Sequence, residues 1–150
     1  MILLENKKAF FDYEILEKYE AGISLFGFEV KSLKNKRGSL AGSRVLIRGG
    51  EPFVVGLEIP AYQIKNSPKD YDPQRTRRLL LLKKEIKYLS GKEGLTGLTL
   101  VPISLYNKGG LVKLKFGLMR GLKKSDKREK IKKREAKRHI ERTLKYKSAV

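Results

Sequence analysis

Between Phe11 and Ala21 the odd positions Phe11, Tyr13, Ile15, Tyr19 and Ala21 are apolar, the even ones are mostly polar, and the alternation breaks only at Glu17. A period of two predicts a half-buried strand, so these aromatic residues are read as core filling in preference to stacking surfaces for bases. Gly22 and Gly27 bracket a bend, and Phe26, Val30 and Leu33 recur at helical spacing, which predicts a short helix ending near Gly38. The runs Arg44 to Arg48 and Phe53 to Ile59 flank Gly49-Gly50, as in a β-hairpin. Residues 60–70 read as irregular.

Asp72-Pro73 offers an N-cap followed by proline at the first helical position. Leu79, Leu82, Ile86 and Leu89 then predict one long amphipathic helix from there, with Leu80 off its buried face and partly exposed. A second hairpin is expected from Leu98 to Tyr106 and Leu111 to Leu118, joined by Asn107 to Gly110, with Pro102 marking an edge or a bulge. About five or six short antiparallel strands with two interposed helices favour a small Greek-key barrel of the oligonucleotide-binding (OB) type.

Charge adds a second part to this picture. The chain carries a net charge of +19, and the 28 residues from Arg120 to Lys147 hold +10 of it, leaving a barrel that is basic as well. Positive charge at that density is neutralised by a closely spaced row of phosphates, with release of counterions. The boundaries expected are a barrel over 1–121 and a basic tail over 122–150. Asp126 and Glu129 make a capping-box-like start, and Asp126/Lys130, Glu129/Lys133 and Glu141/Lys145 are favourable helical pairs. Because Ile131, Ala136, Ile140 and Leu144 form only a sparse apolar stripe, the tail is expected to be unstructured alone and helical once phosphates neutralise it.

Other chemistry finds little support. Absence of cysteine excludes disulfides, thiolate metal sites and a cysteine nucleophile, and fits a reducing compartment, with the cytoplasm as default. Met1 to Leu4 is too short for a signal peptide, and no run approaches a membrane span. Glu20 and Glu29 lack a companion base or metal cluster, and His139 stands alone in the tail. The glycine pairs at 49–50 and 109–110 lack the P-loop spacing. No catalytic residue, cofactor or metal is expected.

Asn6-Lys7-Lys8-Ala9, Glu20-Ala21-Gly22, Gly27-Phe28-Glu29-Val30-Lys31-Ser32, Arg75-Thr76-Arg77 before Leu79-Leu80-Leu81, Val101-Pro102 and Asp126-Lys127-Arg128, in this order, resemble the SsrA-binding protein (SmpB) family. The resemblance runs from about Asn6 into the tail. It implies a monomeric, non-enzymatic partner of transfer-messenger RNA in trans-translation, the rescue of stalled bacterial ribosomes. An OB barrel would hold the tRNA-like domain while the tail enters the decoding centre and empty mRNA channel of the small subunit, against its ribosomal RNA. Elongation factor Tu and alanyl-tRNA synthetase would be met through the RNA.

By position, the resemblance assigns Asn6, Glu20 and Leu80 to the RNA-binding surface, with Lys7, Lys8, Lys31 and Arg77 as phosphate contacts. It assigns Gly121, Lys123, Lys124, Ser125, Asp126, Lys127 and Arg128 to the ribosomal segment, with Ser125 standing where relatives usually carry tyrosine or histidine. A carboxylate such as Glu20 accepts hydrogen bonds from base amino and imino groups, so it selects where a lysine only attracts. A general ribosomal or single-strand RNA binder is the alternative within the binding class, and a nuclease or RNA-modifying enzyme the alternative outside it.

Overall fold

The computed structural model describes residues 1–63, 68–122 and 124–148, without the side chains of 124–126, 130 and 141–148. Its elements in chain order are β1 (Ile2–Glu5), α1 (Lys7–Asp12), β2 (Tyr13–Ile23), α2 (Gly27–Lys34), β3 (Arg44–Arg48), β4 (Glu51–Val55), β5 (Arg77–Leu80), α3 (Lys83–Lys92), β6 (Leu98–Lys108), β7 (Leu111–Gly121) and α4 (Lys124–Ser148). Seven antiparallel strands, one more than the upper expectation, follow the order β1-β6-β7-β2-β5-β4-β3. The sheet curls until β3 lies against β6, which gives the OB-like barrel expected from the pattern.

Both predicted hairpins form. Gly49 and Gly50, and likewise Gly109 and Gly110, take positive φ, the conformation a two-residue turn matched to strand twist requires. The barrel interior is filled by Leu33, Val54, Leu57, Leu79, Leu105, Leu114 and Phe116, and Tyr19 stacks on Phe116 with ring centroids 5.6 Å apart.

Two bulges turn one face of the sheet into two zones. Ile15 pairs with Met119 while Glu17 pairs with Leu118, so Leu16 is an inserted residue and β2 exchanges faces there. The single phase read from Phe11 to Ala21 is therefore two phases. Tyr13 and Ile15 join a small outer core with Ala9, Val101, Ile103 and Met119 beneath α1, whereas Ala21 belongs to the main core and Tyr19 packs against it. In β6 the shift lies between Pro102 and Ser104, so Pro102 does mark a bulge. Asn6 clamps it, with its amide 2.8 Å from the Ile103 carbonyl and its Nδ2 2.9 Å from that of Pro102.

The helix expected from Asp72 is a turn, a strand and a shorter helix. Asp72 caps only a turn, accepting from the Gln74 amide at 2.9 Å. Arg77 and Leu79 then point inward and Arg78 and Leu80 outward, so the run has period two. Arg77, expected among the phosphate contacts, is buried. The helix starts after Leu82, whose amide donates to Glu85 Oε1 at 3.2 Å. Tyr88 and Glu93 tether it to the barrel, through a 2.6 Å bond from the Tyr88 hydroxyl to Glu17 and a 2.9 Å bond from the Ile47 amide to Glu93. Within the irregular 60–70 stretch, residues 64–67 lie outside the described ones.

Arg77 departs most clearly from expectation. Its guanidinium is fully buried and donates to Glu29 Oε2 from Nε at 2.8 Å and Nη2 at 2.6 Å, and to the carbonyls of Leu57 and Pro73 at 2.6 and 3.0 Å. Glu29, also fully buried, takes Arg75 Nη2 at 2.5 Å and the Phe26 amide at 2.7 Å, and its Oε2 lies 2.8 Å from the Tyr71 hydroxyl. Burial alone would raise the Glu29 carboxyl, but hydrogen bonds from Arg75, Phe26 and Arg77 with the Arg77 charge outweigh it and hold the carboxyl below its ordinary value. This network joins α2 to β5 and occupies every part of Arg77 that a phosphate would need.

The basic tail takes the helical form, α4, for which its sequence has the propensity. Two contacts link it to α1: Lys127 Nζ lies 3.3 Å from Asp12 Oδ1, and the Arg134 guanidinium sits 5.0 Å from the Phe11 ring centre. A cation over an aromatic face supplies docking that a count of apolar residues overlooks. Among the described residues no helix is long and apolar enough to cross a membrane.

Candidate nucleic-acid interface

α1 covers only the outer core, so the remainder of the outer sheet face lies open. Strand register fixes what stands on it. Ile2 pairs with Tyr106, Tyr106 with Lys113, Lys113 with Gly22 and Gly22 with Leu80, one row across five strands. The adjacent row is Glu5, Ser104, Lys115 and Glu20. Lys18 follows Glu20 on the same face, and Lys108 reaches it from the end of β6. Ile2 and Leu80 are 52% and 64% exposed, unusually high for large apolar side chains on a sheet.

Gly22 sets the relief of the long row. A Cβ there would stand 3.3 Å from the Leu80 Cβ, so any larger residue would press Leu80 aside by a few tenths of an ångström. Lys113 and Lys115 supply positive charge at alternate positions, the spacing at which side chains share a strand face.

Glu20 is the exception in sign. The Tyr106 hydroxyl holds its carboxyl below the ordinary range first of all; desolvation opposes it, and Lys108 and Lys113 act in the same direction as Tyr106. Lys108 Nζ is 3.4 Å away, and the Tyr106 phenol is raised to about 12 by desolvation and its bond to Glu20. Glu20 therefore remains an ionised, acceptor-only group within a cationic field. It lines a cleft of about 550 Å³ with Ile2, Lys18, Ser104, Tyr106 and Lys115.

Glu20 and Leu80 thus share this face, in neighbouring rows. Asn6 is buried in the bulge clamp, which leaves its side chain a structural task. Lys7 and Lys8 are exposed on α1 but diverge: Lys7 borders the groove between α1 and α4, Lys8 a hollow beside Tyr13 and Arg44. Lys31 is exposed on α2, outside the two rows. Of the tail residues, Gly121 ends β7 opposite Tyr13, Lys127 pairs with Asp12 and Arg128 is exposed. Lys124, Ser125 and Asp126 lie in the first turn of α4 with side chains outside the described ones, and Lys123 lies outside altogether. Sequence reasoning missed Lys18, Tyr106, Lys108, Lys113 and Lys115. The signal available was Lys113-Leu114-Lys115, a lysine alternation inside an otherwise apolar strand.

The chain is similar over nearly its whole length to SsrA-binding proteins. The SsrA-binding protein of Mesoplasma florum is 48% identical over 145 residues, covering 97% of this chain and 97% of that protein. The SsrA-binding protein of Thermosipho melanesiensis is 51% identical over 145 residues, covering 96% and 98%. A chain of the solved structure described as "tmRNA-SmpB: a journey to the center of the bacterial ribosome" superposes with a TM-score of 0.68 at 47% identity, over 81% of this chain and 85% of that one. The family model described as SmpB protein matches residues 3–146, and with that match and these identities the chain belongs to the SmpB family.

Proposed function

We propose that this chain binds transfer-messenger RNA and acts with it on stalled ribosomes in trans-translation. The observation that carries the reading is the open pair of rows, Ile2-Tyr106-Lys113-Gly22-Leu80 and Ser104-Lys115-Glu20, on an OB-like barrel of a SmpB-family chain. Lysines there attract phosphates, Tyr106 and Leu80 offer contact to unstacked bases, and Glu20 accepts from base donors. Barrel and tail divide the work at about residue 121. The barrel grips the tRNA-like domain, and α4 enters the decoding centre and mRNA channel of the small subunit, with Gly121 to Arg128 leading. Lys7, Lys8 and Lys31 contribute to the surrounding field. The chain works as a monomer and by binding, without bond chemistry, in the cytoplasm, and meets elongation factor Tu and alanyl-tRNA synthetase only through the RNA.

Leu80→Asp and Glu20→Ala change exposed positions, so folding should be unaffected while affinity for the tRNA-like domain falls about tenfold or more. Titration of labelled RNA with each variant checks this, and undiminished affinity in both would remove the face from the reading. Lys115→Gln should weaken binding and reduce the slope of log affinity against log salt by about 0.7 to 0.9, the contribution of one phosphate. A preference for the tRNA-like domain over arbitrary single strands at moderate salt separates this function from general RNA binding.

A further inference from the structure

Resting on the RNA-binding reading, we propose that the cleft around Glu20 is a base-selective subsite that takes an unpaired guanine by its Watson–Crick edge. The Glu20 side chain is 42% exposed and stands between Lys18 and Lys115 on a face otherwise built to attract phosphate. A carboxylate amid such lysines weakens plain phosphate binding, so attraction of the backbone does not explain it. Its orientation is fixed by the Tyr106 hydroxyl and by Lys108 at 3.4 Å. An ionised carboxylate has about four acceptor positions, and these two partners engage two of them.

The chemistry of the bases then decides the ligand. A carboxylate accepts and never donates, so it is satisfied by two neighbouring donors. Guanine presents N1–H and N2–H side by side. Adenine and cytosine each place an amino group next to a ring acceptor, and uracil places one imino group between two carbonyls; all three set an acceptor against a carboxylate oxygen. The cleft has the matching form. Tyr106 and Ile2 line it with apolar surface, and Lys18 and Lys115 line it with the positive charge that the phosphates of a splayed nucleotide would seek. Glu20 is then the specificity-determining residue of a face whose lysines are indifferent to sequence.

The test is a double-mutant cycle between protein and RNA. Synthetic tRNA-like domains are prepared in which each unpaired guanine in turn is replaced by inosine, which lacks only the N2 amino group. With the unaltered protein, one position should lose about tenfold in affinity, the discrimination of a good bidentate pair. With Glu20→Gln, whose carboxamide cannot accept two donors side by side, that same replacement should cost less than about twofold. If no guanine is sensitive, or if the loss persists in Glu20→Gln, the guanine subsite is overturned while binding of the parent RNA still stands. Failure of the parent RNA to bind would instead overturn the function proposed above.

Discussion

Glu29→Gln should destabilise the barrel by about 3–5 kcal/mol, because it leaves Arg77 charged, fully buried and without its counter-ion. Domains of this size hold about 5–15 kcal/mol in all, so the variant should be largely unfolded or soluble only at low temperature. Chemical denaturation checks the figure, with Glu51→Gln as reference. Glu51 also pairs with an arginine, Arg78 at 3.0 Å, but both side chains are about half exposed, and the change should stay within about 1 kcal/mol. Equal effects of the two substitutions would show that burial of the Glu29 network carries no special weight.

The same network sets an acid limit. Glu29 titrates below its ordinary value in the folded chain, so the unfolded chain binds the proton first. Its contribution is complete above the ordinary carboxylate range and is lost as pH falls through the depressed folded value. Stability of the unaltered chain measured downward from neutral pH should decline in that window, and an unchanged stability through it would remove Glu29 as the titrating group.

What could be read from the chain follows the range of the interactions involved. Both hairpins and α2 rest on neighbours within a few residues, so alternation and glycine turns sufficed. α1 was missed because its N-cap residue, Asn6, makes no side-chain cap and sends its amide to Pro102 instead. The Arg77 strand was missed because patterning treats arginine as polar, and only a partner 48 residues away makes it a core residue. The cationic rows were hidden for another reason. Register shifts in β1, β2 and β6 decide which strand positions share a face, and the one between Ile15 and Glu17 reverses everything after it in β2. The break at Glu17 was its trace. Glu20 and Leu80 were reached through resemblance, and Leu80 was also judged exposed, for a helix it does not belong to. In the family motifs Glu29, Arg75 and Arg77 prove to be architecture, so a motif that identifies this family does not by itself mark an RNA contact.

Truncation after Leu122 should abolish tagging of stalled chains while leaving a folded barrel with most of its affinity for the tRNA-like domain. The cut falls after the last barrel contact, the 2.9 Å bond from the Leu122 amide to the Asp12 carbonyl, so the sheet and both cores remain whole. What is lost is residues 123–150, with a net charge of +9, and the two contacts of α4 with α1, Lys127 to Asp12 and Arg134 to Phe11. The first of these is a surface ion pair and the second a surface cation over a ring, each worth about 1 kcal/mol or less, so α4 can leave α1 at little cost. Ribosomal RNA offers the same cations a far larger number of phosphates, which favours the undocked helix there. Affinity should be compared at moderate salt, where the general pull of nine charges is screened. Tagging in a reconstituted translation reaction is the decisive readout. Undiminished tagging would remove the tail from the mechanism, and a parallel collapse of RNA affinity would move it onto the RNA-binding surface.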